Sequence, residues 1–393
     1  MKLLFAHECF GAFGGAESNL FHTATELKRR GHSVAIVHGP STGKGVEKWE
    51  QLFDERFPLN ESETLTSAVR RFQPDSIYVH KLAEIQPLEE MLASRTPVVR
   101  MVHDHETYCL RGCRYGHLSR DICTRPLSAY CLFPCGGFIA KSNGGGLPVR
   151  LINYFQRKKE MEINRQFDRL IVATNYMKEE LLLNEFDENK IEIHAPTPPR
   201  TEAVERKETK QTNLILFSGQ IIRGKGVDVL LQALKQVKCD FQCLIFGDGG
   251  HRSYCESLCR ELGLNDRVQF KGYVSQDELQ KYYGQASVMV VSSVWPEPFG
   301  AVGLEGMHHA LPVVAFDAGG IKEWLIDGYN GFLVPWMDTK EYAARVEELL
   351  INKPLAEKMG HCGKQLANEV FNFSNYVDGL ESMFDRVIKH QKA

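Results

Sequence analysis

Short apolar runs recur along the chain and alternate with longer stretches in which apolar residues return every three or four positions. In the first half the runs are KLLFAH, SVAIVHG, DSIYVH, PVVRMVH, RLIVAT and IEIHAP. Runs of this kind, rich in β-branched residues and separated by helical patterns, are typical of buried parallel strands with helices on both faces. The first half is therefore predicted to be a doubly wound, Rossmann-like α/β domain.

The alternation of strand and helix patterns stops at a charged stretch without apolar periodicity, RTEAVERKETKQT. The alternation then returns with LILFSG, FQCLIFG, VQFKGY, VMVVSS and PVVAF, which predicts a second doubly wound parallel sheet. The predicted domains are residues 1–200, with a Cys-rich insertion at about 105–165, and residues 213–372, joined by a linker at 201–212. A last helical pattern, 373–393, is expected to pack back toward the N-terminal domain.

Composition narrows the functional classes. The chain has 393 residues, 43% of them hydrophobic, which is enough for two cores. Its net charge is -3 and its Lys and Arg are scattered, so we expect no nucleic-acid partner. The N-terminal apolar run is too short for a signal-peptide core, and no apolar run is long enough for a transmembrane segment. Eleven Cys without an export signal favour a reducing, cytoplasmic location.

Glycine-rich loops fall at the ends of predicted strands, where a backbone can approach a phosphate and a following helix N-terminus attracts an anion. They are Gly11 to Ala16, Gly219 to Gly226, Gly247 to Gly250, and Gly319-Gly320. The second, GQIIRGKG, resembles a P-loop but has Gly226 where a P-loop needs Ser or Thr, which argues against an NTPase. Lys225 and Arg223 remain as candidates for binding a diphosphate. Because the chain has no G-x-G-x-x-G, a nicotinamide dehydrogenase is disfavoured.

Two carboxylates flank the Pro and Gly of WPEPFGAVGLE, Glu297 and Glu305. At a rise of ~1.5 Å per residue, their spacing is compatible with the acid–base pair of an inverting glycosidase. Spacing alone therefore leaves a hydrolytic pair and a ligand-binding pair both open.

Several segments together carry a family resemblance. In the second half they are SGQIIRGKGVDVLLQAL, IFGDGG, FKGYVSQDEL, EPFGAVGLEGMHHALPVVAFDAGGIKEWL and DGYNGFLV, and in the first half GGAE, RRGH, QPDSIYVH and VHDH. In this order they resemble the family 4 retaining glycosyltransferases of the GT-B fold. The match is continuous from about 213 to 335 and weak between 111 and 166.

The resemblance implies a fold, a reaction and partners. The fold would be GT-B, with two Rossmann-like domains facing a central cleft and a C-terminal helix bracing them. The reaction would move a sugar from a nucleotide diphosphate sugar to a hydroxyl acceptor, with retention of configuration and without a catalytic metal or other cofactor. The acceptor would be a sugar or a lipid-linked glycan, and the pathway polysaccharide, lipopolysaccharide or glycolipid assembly.

The resemblance also assigns roles to residues. Glu305 would hold the ribose hydroxyls, and Glu297 the hydroxyls of the donor sugar. Lys225 would neutralise the diphosphate, and His103 would touch the donor sugar near the reacting carbon. The remaining donor-binding candidates are backbone positions: Gly15, Gly219, Gly247, Phe299, Gly300, Gly319 and Gly320.

One position departs from the family pattern. Where the family has an Arg directly after the first Gly of its diphosphate loop, this chain has Gln220. We expect Arg223, three residues later, to supply the missing positive charge.

Five of the eleven Cys lie between residues 109 and 135 and are not absorbed by the resemblance: Cys109, Cys113, Cys123, Cys131 and Cys135. Clustered thiols in a cytoplasmic protein suggest structural zinc or an iron–sulfur cluster, although the spacing is not the C-x2-C of zinc ribbons. A loop of buried small hydrophobic side chains is the alternative.

Three further alternatives stay open. The segment 144–167 carries basic and aromatic residues that would suit peripheral contact with a membrane, or simply a solvated helix face. The same fold would serve a nucleotide-sugar epimerase, or a non-catalytic scaffold that binds nucleotide sugars. A sugar phosphorylase would need a lysine carrying pyridoxal phosphate, which no motif indicates.

Overall fold

A computed structural model describes residues 1–12, 14–60, 63–116, 119–141, 149–199 and 213–392. The chain divides into two compact units. The first comprises Met1–His117, Cys123–Pro199 and Phe373–Ala393, and the second comprises Leu118–Ile122 and Arg200–Asn372. The predicted linker at 201–212 lies outside the described residues.

The first unit contains a seven-stranded parallel sheet with the order β3-β2-β1-β4-β5-β8-β9. A two-stranded antiparallel hairpin, β6-β7, is separate from it. The strands are β1 (Lys2–His7), β2 (Ser33–His38), β3 (Glu55–Pro58), β4 (Ser76–Val79), β5 (Val98–Met101), β6 (Ile139–Lys141), β7 (Val149–Leu151), β8 (Arg169–Val172) and β9 (Ile191–Ile193).

Helices cover both faces of this sheet. They are α1 (Gly15–Arg29), α2 (Val46–Leu52), α3 (Leu65–Phe72), α4 (Ile85–Ala93), α5 (Tyr154–Asn164), α6 (Asn175–Leu183) and the C-terminal helix, here α13 (Phe373–Lys392). Leu3 and Phe5 of β1 pack in a core that includes residues of α1 and α13, whereas Leu4 and Ala6 pack in a second core with residues of α3 and α4. Successive residues of a strand point to opposite faces, so one buried strand contributes to both cores.

The second unit contains a six-stranded parallel sheet with the order β12-β11-β10-β13-β14-β15. Its strands are β10 (Leu214–Ser218), β11 (Gln242–Phe246), β12 (Val268–Gly272), β13 (Val288–Val291), β14 (Val313–Phe316) and β15 (Gly331–Val334). Its helices are α7 (Val227–Leu234), α8 (Arg252–Glu261), α9 (Gln276–Tyr283), α10 (Val302–His308), α11 (Thr339–Ile351) and α12 (Lys353–Glu369).

The strands predicted from apolar runs coincide with strands of the two sheets, whereas the short edge strands β3 and β15 and the two hairpin strands β6 and β7 were not predicted. Of these, β3 has only one buried residue, Phe57, so it carries no continuous apolar run. At the start of α9, the Ser275 hydroxyl accepts the backbone N–H of Glu278 at 3.3 Å, which is one half of a capping box. Within the described ranges, no helix is both long and apolar enough to cross a bilayer.

Candidate functional site

The clearest cluster of predicted residues lies in the second unit, beside the carboxyl ends of β10 and β13. Lys225 ends a short 3-10 turn, Arg223–Lys225, that follows β10. Its Nζ lies 2.6 Å from Oε1 of Glu297, whose side chain is almost fully buried. The hydroxyl of Ser293 donates to the same carboxylate oxygen. The two predicted charges therefore form one hydrogen-bonded ion pair.

This ion pair keeps Glu297 ionised. Burial alone would raise the pKa of Glu297, but the charge of Lys225 and the hydrogen bonds from Lys225 and Ser293 outweigh burial and hold the pKa below its ordinary value. An ionised carboxylate accepts hydrogen bonds and has no proton to give, so Glu297 is unsuited to be the acid of a hydrolytic pair. The ion pair thus excludes the acid role alone, and the ligand-binding role of Glu297 stays a prediction.

The turn that carries Lys225 is fixed against the end of β13. The carbonyl oxygen of Gly224 accepts the backbone N–H groups of Val294 and Trp295 at 2.8 and 3.0 Å. Gly226 has a φ of 65°, and a Cβ at this position would lie 2.1 Å from the carbonyl oxygen of Ser292. The place where a P-loop has its Ser or Thr therefore has no room for a side chain, which agrees with the argument against an NTPase.

The predicted glycine pair after β14 holds the Glu297 segment in place. Gly319 pairs with Glu297 in an isolated parallel bridge, and the Gly320 N–H donates to the Glu297 carbonyl oxygen at 2.7 Å. Gly319 has a φ of 70°, and a Cβ there would lie 2.5 Å from the same oxygen. These contacts give the two glycines a structural role, and their predicted contact with a donor stays a prediction.

The second predicted glutamate, Glu305, lies in the first turn of α10. Its Oε2 accepts the hydroxyl of Tyr283 at 2.8 Å. Tyr283 is fully buried, and burial and the nearby Glu305 carboxylate raise the pKa of its hydroxyl well above the ordinary value. The tyrosine therefore stays a hydrogen-bond donor that fixes the carboxylate on the helix.

Phe299 and Gly300 lie between the two glutamates and are tied to Trp324. The indole Nε1–H of Trp324 donates to the Phe299 carbonyl oxygen at 2.6 Å. A Cβ at Gly303 would lie only 2.0 Å from the nearest ring atom of the same indole. The absence of a side chain at Gly303 therefore lets the buried tryptophan ring lie against this helix.

Other predicted positions of the second unit lie at the same edge of the sheet. The Gly219 N–H donates to the Phe246 carbonyl oxygen at 3.1 Å, and the Gly247 N–H to that of Gly272 at 2.8 Å. Arg223 is half-buried in the turn, and Gln220 is exposed. The structure thus keeps Arg223 in the turn that carries Lys225, and its compensation for Gln220 stays a prediction.

In the first unit, His103 follows β5 and contacts a second histidine that sequence reasoning missed. Its Nε2 lies 2.8 Å from Nδ1 of His80, which follows β4, and the two rings stack with centroids 5.0 Å apart. Burial lowers the pKa of His103 to about 3, and it also lowers the pKa of His80 well below the ordinary value. His103 is therefore neutral at physiological pH and suited to hydrogen bonding rather than to charge stabilisation.

Gly15 is the first residue of α1, and the loop before it is held by a buried pair that sequence reasoning also missed. The backbone N–H of Lys81 donates to His7 Nδ1 at 3.2 Å, so the proton of a neutral His7 lies on Nε2, which is 3.1 Å from Glu17 Oε1. The other oxygen of Glu17 accepts the Gly14 N–H at 2.8 Å. Burial would raise the pKa of Glu17, but the His7 hydrogen bond and two backbone N–H groups lower it to about 2.

The five clustered Cys are free thiols, each partly exposed. Burial and neighbouring thiols raise the pKa of Cys113 to about 12. Across the described ranges, the one group of three potential ligand atoms within 4.8 Å of one another is His7, Cys9 and Glu17. Burial raises the pKa of Cys9 to about 12 and the His7 Nε2 carries a proton, so this group suits a hydrogen-bonded triad better than a metal.

The missed residues are mostly hydrogen-bond partners of predicted ones: Ser293, Tyr283, Trp324, His80, His7 and Glu17. A signal existed for some of them. Ser293 and His80 are the last residues of predicted strands, as His103 is, and the carboxyl ends of parallel strands share one edge of a sheet. Tyr283 and Trp324 are far in sequence from the groups they hold, and nothing local marks them.

Comparisons with known proteins agree with the two-unit architecture. The model of the family described as "Glycosyltransferase Family 4" matches residues 13–196, and that described as "Glycosyl transferases group 1" matches residues 200–366. An uncharacterized glycosyltransferase of Methanocaldococcus jannaschii is 34% identical over 164 residues, which are 41% of this chain and 42% of that protein. The chain spans about half the length of the first curated relatives that it matches.

A longer match and a solved structure extend the likeness. The D-inositol 3-phosphate glycosyltransferase of Mycolicibacterium smegmatis is 29% identical over 311 residues, covering 75% of this chain and 68% of that protein. The crystal structure of Anabaena HepE in complex with UDP and glucose has a TM-score of 0.74 and 19% identity, covering 98% of this chain and 100% of that one. This structural likeness shows that the fold is GT-B, as predicted.

The two family models follow each other along the chain and together cover most of it. Their boundary, between residues 196 and 200, falls where the first unit gives way to the second. In the second unit, Lys225 follows β10, and Glu297 and Glu305 follow β13, in the loop and in the first turn of α10. The chain belongs to the family 4 glycosyltransferases.

Proposed function

We propose that this chain is a retaining glycosyltransferase that transfers a hexosyl group from a nucleotide diphosphate sugar to a hydroxyl of a sugar or lipid-linked glycan acceptor. The observation that carries the proposal is the contact between Lys225 and Glu297, 2.6 Å at the carboxyl edge of the second sheet. This pair places a fixed cation and a fixed hydrogen-bond acceptor side by side. A diphosphate leaving group and the hydroxyls of its sugar need these two groups.

The chemistry follows from charge. In the transition state the sugar resembles an oxocarbenium ion that separates from a diphosphate, so the main task is to stabilise negative charge on the leaving group. The ammonium of Lys225, with Arg223 in the same turn, would supply positive charge there. Glu297, kept ionised, would accept hydrogen bonds from hydroxyls of the donor sugar. In this scheme no protein group need act as a general base, since a departing phosphate oxygen can take the proton of the acceptor.

The opposite end of the donor would be held by Glu305. Its carboxylate is oriented by Tyr283 and sits in the first turn of a helix, which suits an acceptor for the two hydroxyls of a ribose. In the first unit, neutral His103 would hydrogen-bond the donor sugar, and Gly15 would approach the diphosphate. Crystal structures of HepE hold UDP or UDP-glucose, which favours a uridine nucleotide as the first donor to try.

The test is a screen of nucleotide sugars by thermal shift, followed by measurement of released nucleoside diphosphate with and without sugar acceptors. We expect one donor to raise the melting temperature and to release nucleoside diphosphate slowly without acceptor and faster with one. Proton NMR of the product would then show the anomeric configuration of the transferred sugar. Binding without release would instead indicate a scaffold, and interconversion of sugars without release would indicate an epimerase.

Arg223 can be tested in the same assay. Arg223→Ala should weaken donor binding and slow turnover if this side chain replaces the family Arg at Gln220. Restoring the family pattern with Gln220→Arg in the Arg223→Ala background should recover part of the loss. Unchanged turnover and donor affinity in Arg223→Ala would show that the compensation hypothesis is wrong.

We also propose, as separate points, a structural metal at Cys109, Cys113, Cys123, Cys131 and Cys135, a cytoplasmic location and peripheral membrane contact. Metal analysis of anaerobically purified protein by mass spectrometry tests the first. We expect about one equivalent of zinc, or about two to four equivalents of iron for an iron–sulfur cluster, and less than roughly a tenth of an equivalent would exclude the site. Flotation with anionic vesicles tests membrane contact.

A further inference from the structure

Residues 118–122 belong to the second unit, although the chain on either side of them, the Cys-rich insertion, lies in the first unit. Arg120 in this segment is 7% exposed, and its Nη2 donates to Oδ2 of Asp228 at 2.6 Å. Asp228 is also 7% exposed and lies in the first turn of α7. Two residues that are 108 positions apart therefore form a buried ion pair just after the turn that carries Lys225.

The backbone of Arg120 shows that its surroundings hold it in place. Its φ is 65°, in the left-handed region that residues other than glycine adopt at a cost in free energy. A residue stays in this region only where the surrounding contacts favour it, and such residues concentrate at functional sites. Arg120 thus combines a strained backbone with a buried charge and a specific partner.

Asp228 lies next to two of the glycine loops that are predicted to approach a phosphate. It follows Lys225, in the first of these loops, by three residues. Its Oδ2 is also 3.8 Å from Nε2 of His251, which directly follows the loop Gly247 to Gly250. The His251 N–H donates to the Ile221 carbonyl oxygen at 3.0 Å, so the second loop is hydrogen-bonded to the segment before the Lys225 turn.

The carboxylate of Asp228 is unfavourable for a diphosphate at these loops unless its charge is compensated. It lies at the N-terminal end of α7, where the partial positive charge of a helix attracts anions, and a negative side chain offsets that attraction. Its Oδ1 has no hydrogen-bond partner among the residues that the structure describes. The guanidinium of Arg120 supplies the positive charge that compensates it.

We propose that Arg120 is a positioning residue of the donor site, which neutralises Asp228 and fixes the first turn of α7, so that Lys225 presents net positive charge to a diphosphate. The ligand, a diphosphate, rests on the proposed function, whereas the role of the residue rests on its contact with Asp228. Arg120 acts through Asp228, without touching the donor. The Cys-rich insertion then contributes one residue to the nucleotide-binding unit.

The experiment measures the affinity of the full chain for inorganic pyrophosphate and for uridine diphosphate by isothermal titration calorimetry. Arg120→Met should weaken binding of both probes by about five- to tenfold, the order of magnitude expected for one uncompensated charge near a partly buried site. Arg120→Lys should weaken it less, by about twofold, because the ammonium keeps the charge but not the planar donor geometry. Melting temperatures of the same samples show which variants are folded.

Two further variants separate the role of charge from a purely structural role. Asp228→Asn should bind both probes at least as tightly as wild type, since it removes the negative charge and keeps Arg120. A purely structural role predicts weaker binding in this variant, because the substitution breaks the same pair. The double variant Arg120→Met/Asp228→Asn restores the net charge of the pair and should bind within about twofold of wild type. These two variants carry the test if Arg120→Met does not fold.

Arg267→Met is the matched control for the loss of an arginine from the second unit. Arg267 is half-buried, and its guanidinium lies over the ring of Phe241, 3.8 Å from the centroid. It directly precedes β12, at the amino edge of the sheet, whereas the Lys225 turn is at the carboxyl edge. Because solvent and salt screen charges between the two edges, affinity for both probes should stay within about twofold of wild type.

Turnover of nucleotide sugars is measured on the same samples, and this separates two failures. If wild type turns over a nucleotide sugar but Arg120→Met binds the probes as tightly as wild type, or Asp228→Asn binds them more weakly, the function stands and the role of Arg120 is wrong. If pyrophosphate binding follows the expected order but no nucleotide sugar is turned over, the proposed function fails and the role of Arg120 stands. Binding of neither probe to wild type would overturn the role, because Arg120 would have no diphosphate site to serve.

Discussion

At the carboxyl edge of the second sheet, two residues predicted to meet a ligand, Lys225 and Glu297, contact each other directly. In the first unit the predicted residues are held by unpredicted ones: His103 by His80, and the loop before Gly15 by Glu17. The predicted residues of the second unit therefore form an ion pair, whereas those of the first unit are neutral or are held by hydrogen bonds to their neighbours. Under the proposed function, the second unit would supply positive charge to the leaving group, and the first unit would supply hydrogen bonds.

The largest expected effect tests the charged side of this comparison. Lys225→Met should lower turnover by about 10²- to 10³-fold, because it removes a fixed cation from the developing charge of the leaving group. Steady-state release of nucleoside diphosphate measures it. The double variant Lys225→Met/Glu297→Gln controls for the buried carboxylate left unpaired, and Lys238→Met, an exposed lysine of the same unit, should have no effect. A loss smaller than tenfold would show that the lysine is not the principal cation.

A second prediction concerns the first unit and its stability. The pKa of Glu17 falls from 4.5 to about 2 on folding, a difference that corresponds to about 3 kcal/mol at neutral pH. Because the folded pKa is the lower one, this stabilisation is present above about pH 4.5 and is lost as the pH falls toward 2. Urea unfolding of wild type and Glu17→Gln at pH 7, 4 and 3 should therefore show a gap that narrows on acidification.

The control for this measurement is Glu89→Gln, an exposed partner of Lys159, which should change the free energy of unfolding by less than about 1 kcal/mol. A gap between wild type and Glu17→Gln that stays constant with pH would mean that the carboxylate is not ionised against its hydrogen-bond donors, and the account of the loop would be wrong.

The third prediction separates the two glutamates of the second unit. Glu305→Gln should mainly raise the apparent KM for the donor, by about tenfold, since it would weaken a charge-assisted hydrogen bond present in both ground and transition states. Glu297→Gln should mainly lower kcat. Tyr283→Phe should raise KM less, by about fivefold, because it only frees the Glu305 carboxylate to move.

Tyr282→Phe is the matched control, since Tyr282 is the adjacent residue and its ring packs against Phe246 with centroids 4.7 Å apart. The two glutamates would be misassigned if Glu305→Gln changed kcat and Glu297→Gln changed KM.

The smallest expected effect concerns pH: the protonation state of His103 should not change in the range where an ordinary histidine titrates. Because the pKa of His103 is lowered to about 3, its imidazole should show no protonation between pH 8 and 5. The resonance assigned by comparison with His103→Asn should titrate near pH 3 in NMR, and kcat should show no step near 6.5 that disappears in that variant. A midpoint near pH 6.5 would show that His103 can become charged, as Lys225 and Glu297 are.

Much of the fold follows from the sequence because buried parallel strands leave continuous apolar runs, as Leu3 to Ala6 and Val288 to Val291 do. The edge strand Glu55–Pro58 could not be found, since only Phe57 is buried. The charged candidates, Lys225 and Glu297, were found through a local motif. Their direct contact was not foreseen, because it depends on β10 and β13 being neighbours in the sheet although two other strands lie between them in the sequence.

The partners of the first-unit candidates were hidden for a related reason. His7, Glu17 and the Lys81 backbone meet because β1 and β4 are adjacent, and the sequence does not state strand order. The Cys cluster shows the opposite case. Its residues are close in sequence, yet closeness in sequence did not place three thiols within 4.8 Å of one another among the described residues.

Gly226 and Gly319 affect how a map of mutational tolerance of this protein should be interpreted. In a library that replaces every position in turn, both should rank with Lys225 and Glu297 among the least tolerant, because any Cβ there would collide with a backbone carbonyl. Such a map would score the four positions alike, although substitutions at the two glycines would prevent folding and substitutions at Lys225 and Glu297 would remove activity. Counting surviving folded protein alongside activity would separate them: the glycine variants would lose both signals, and the charged variants only the second.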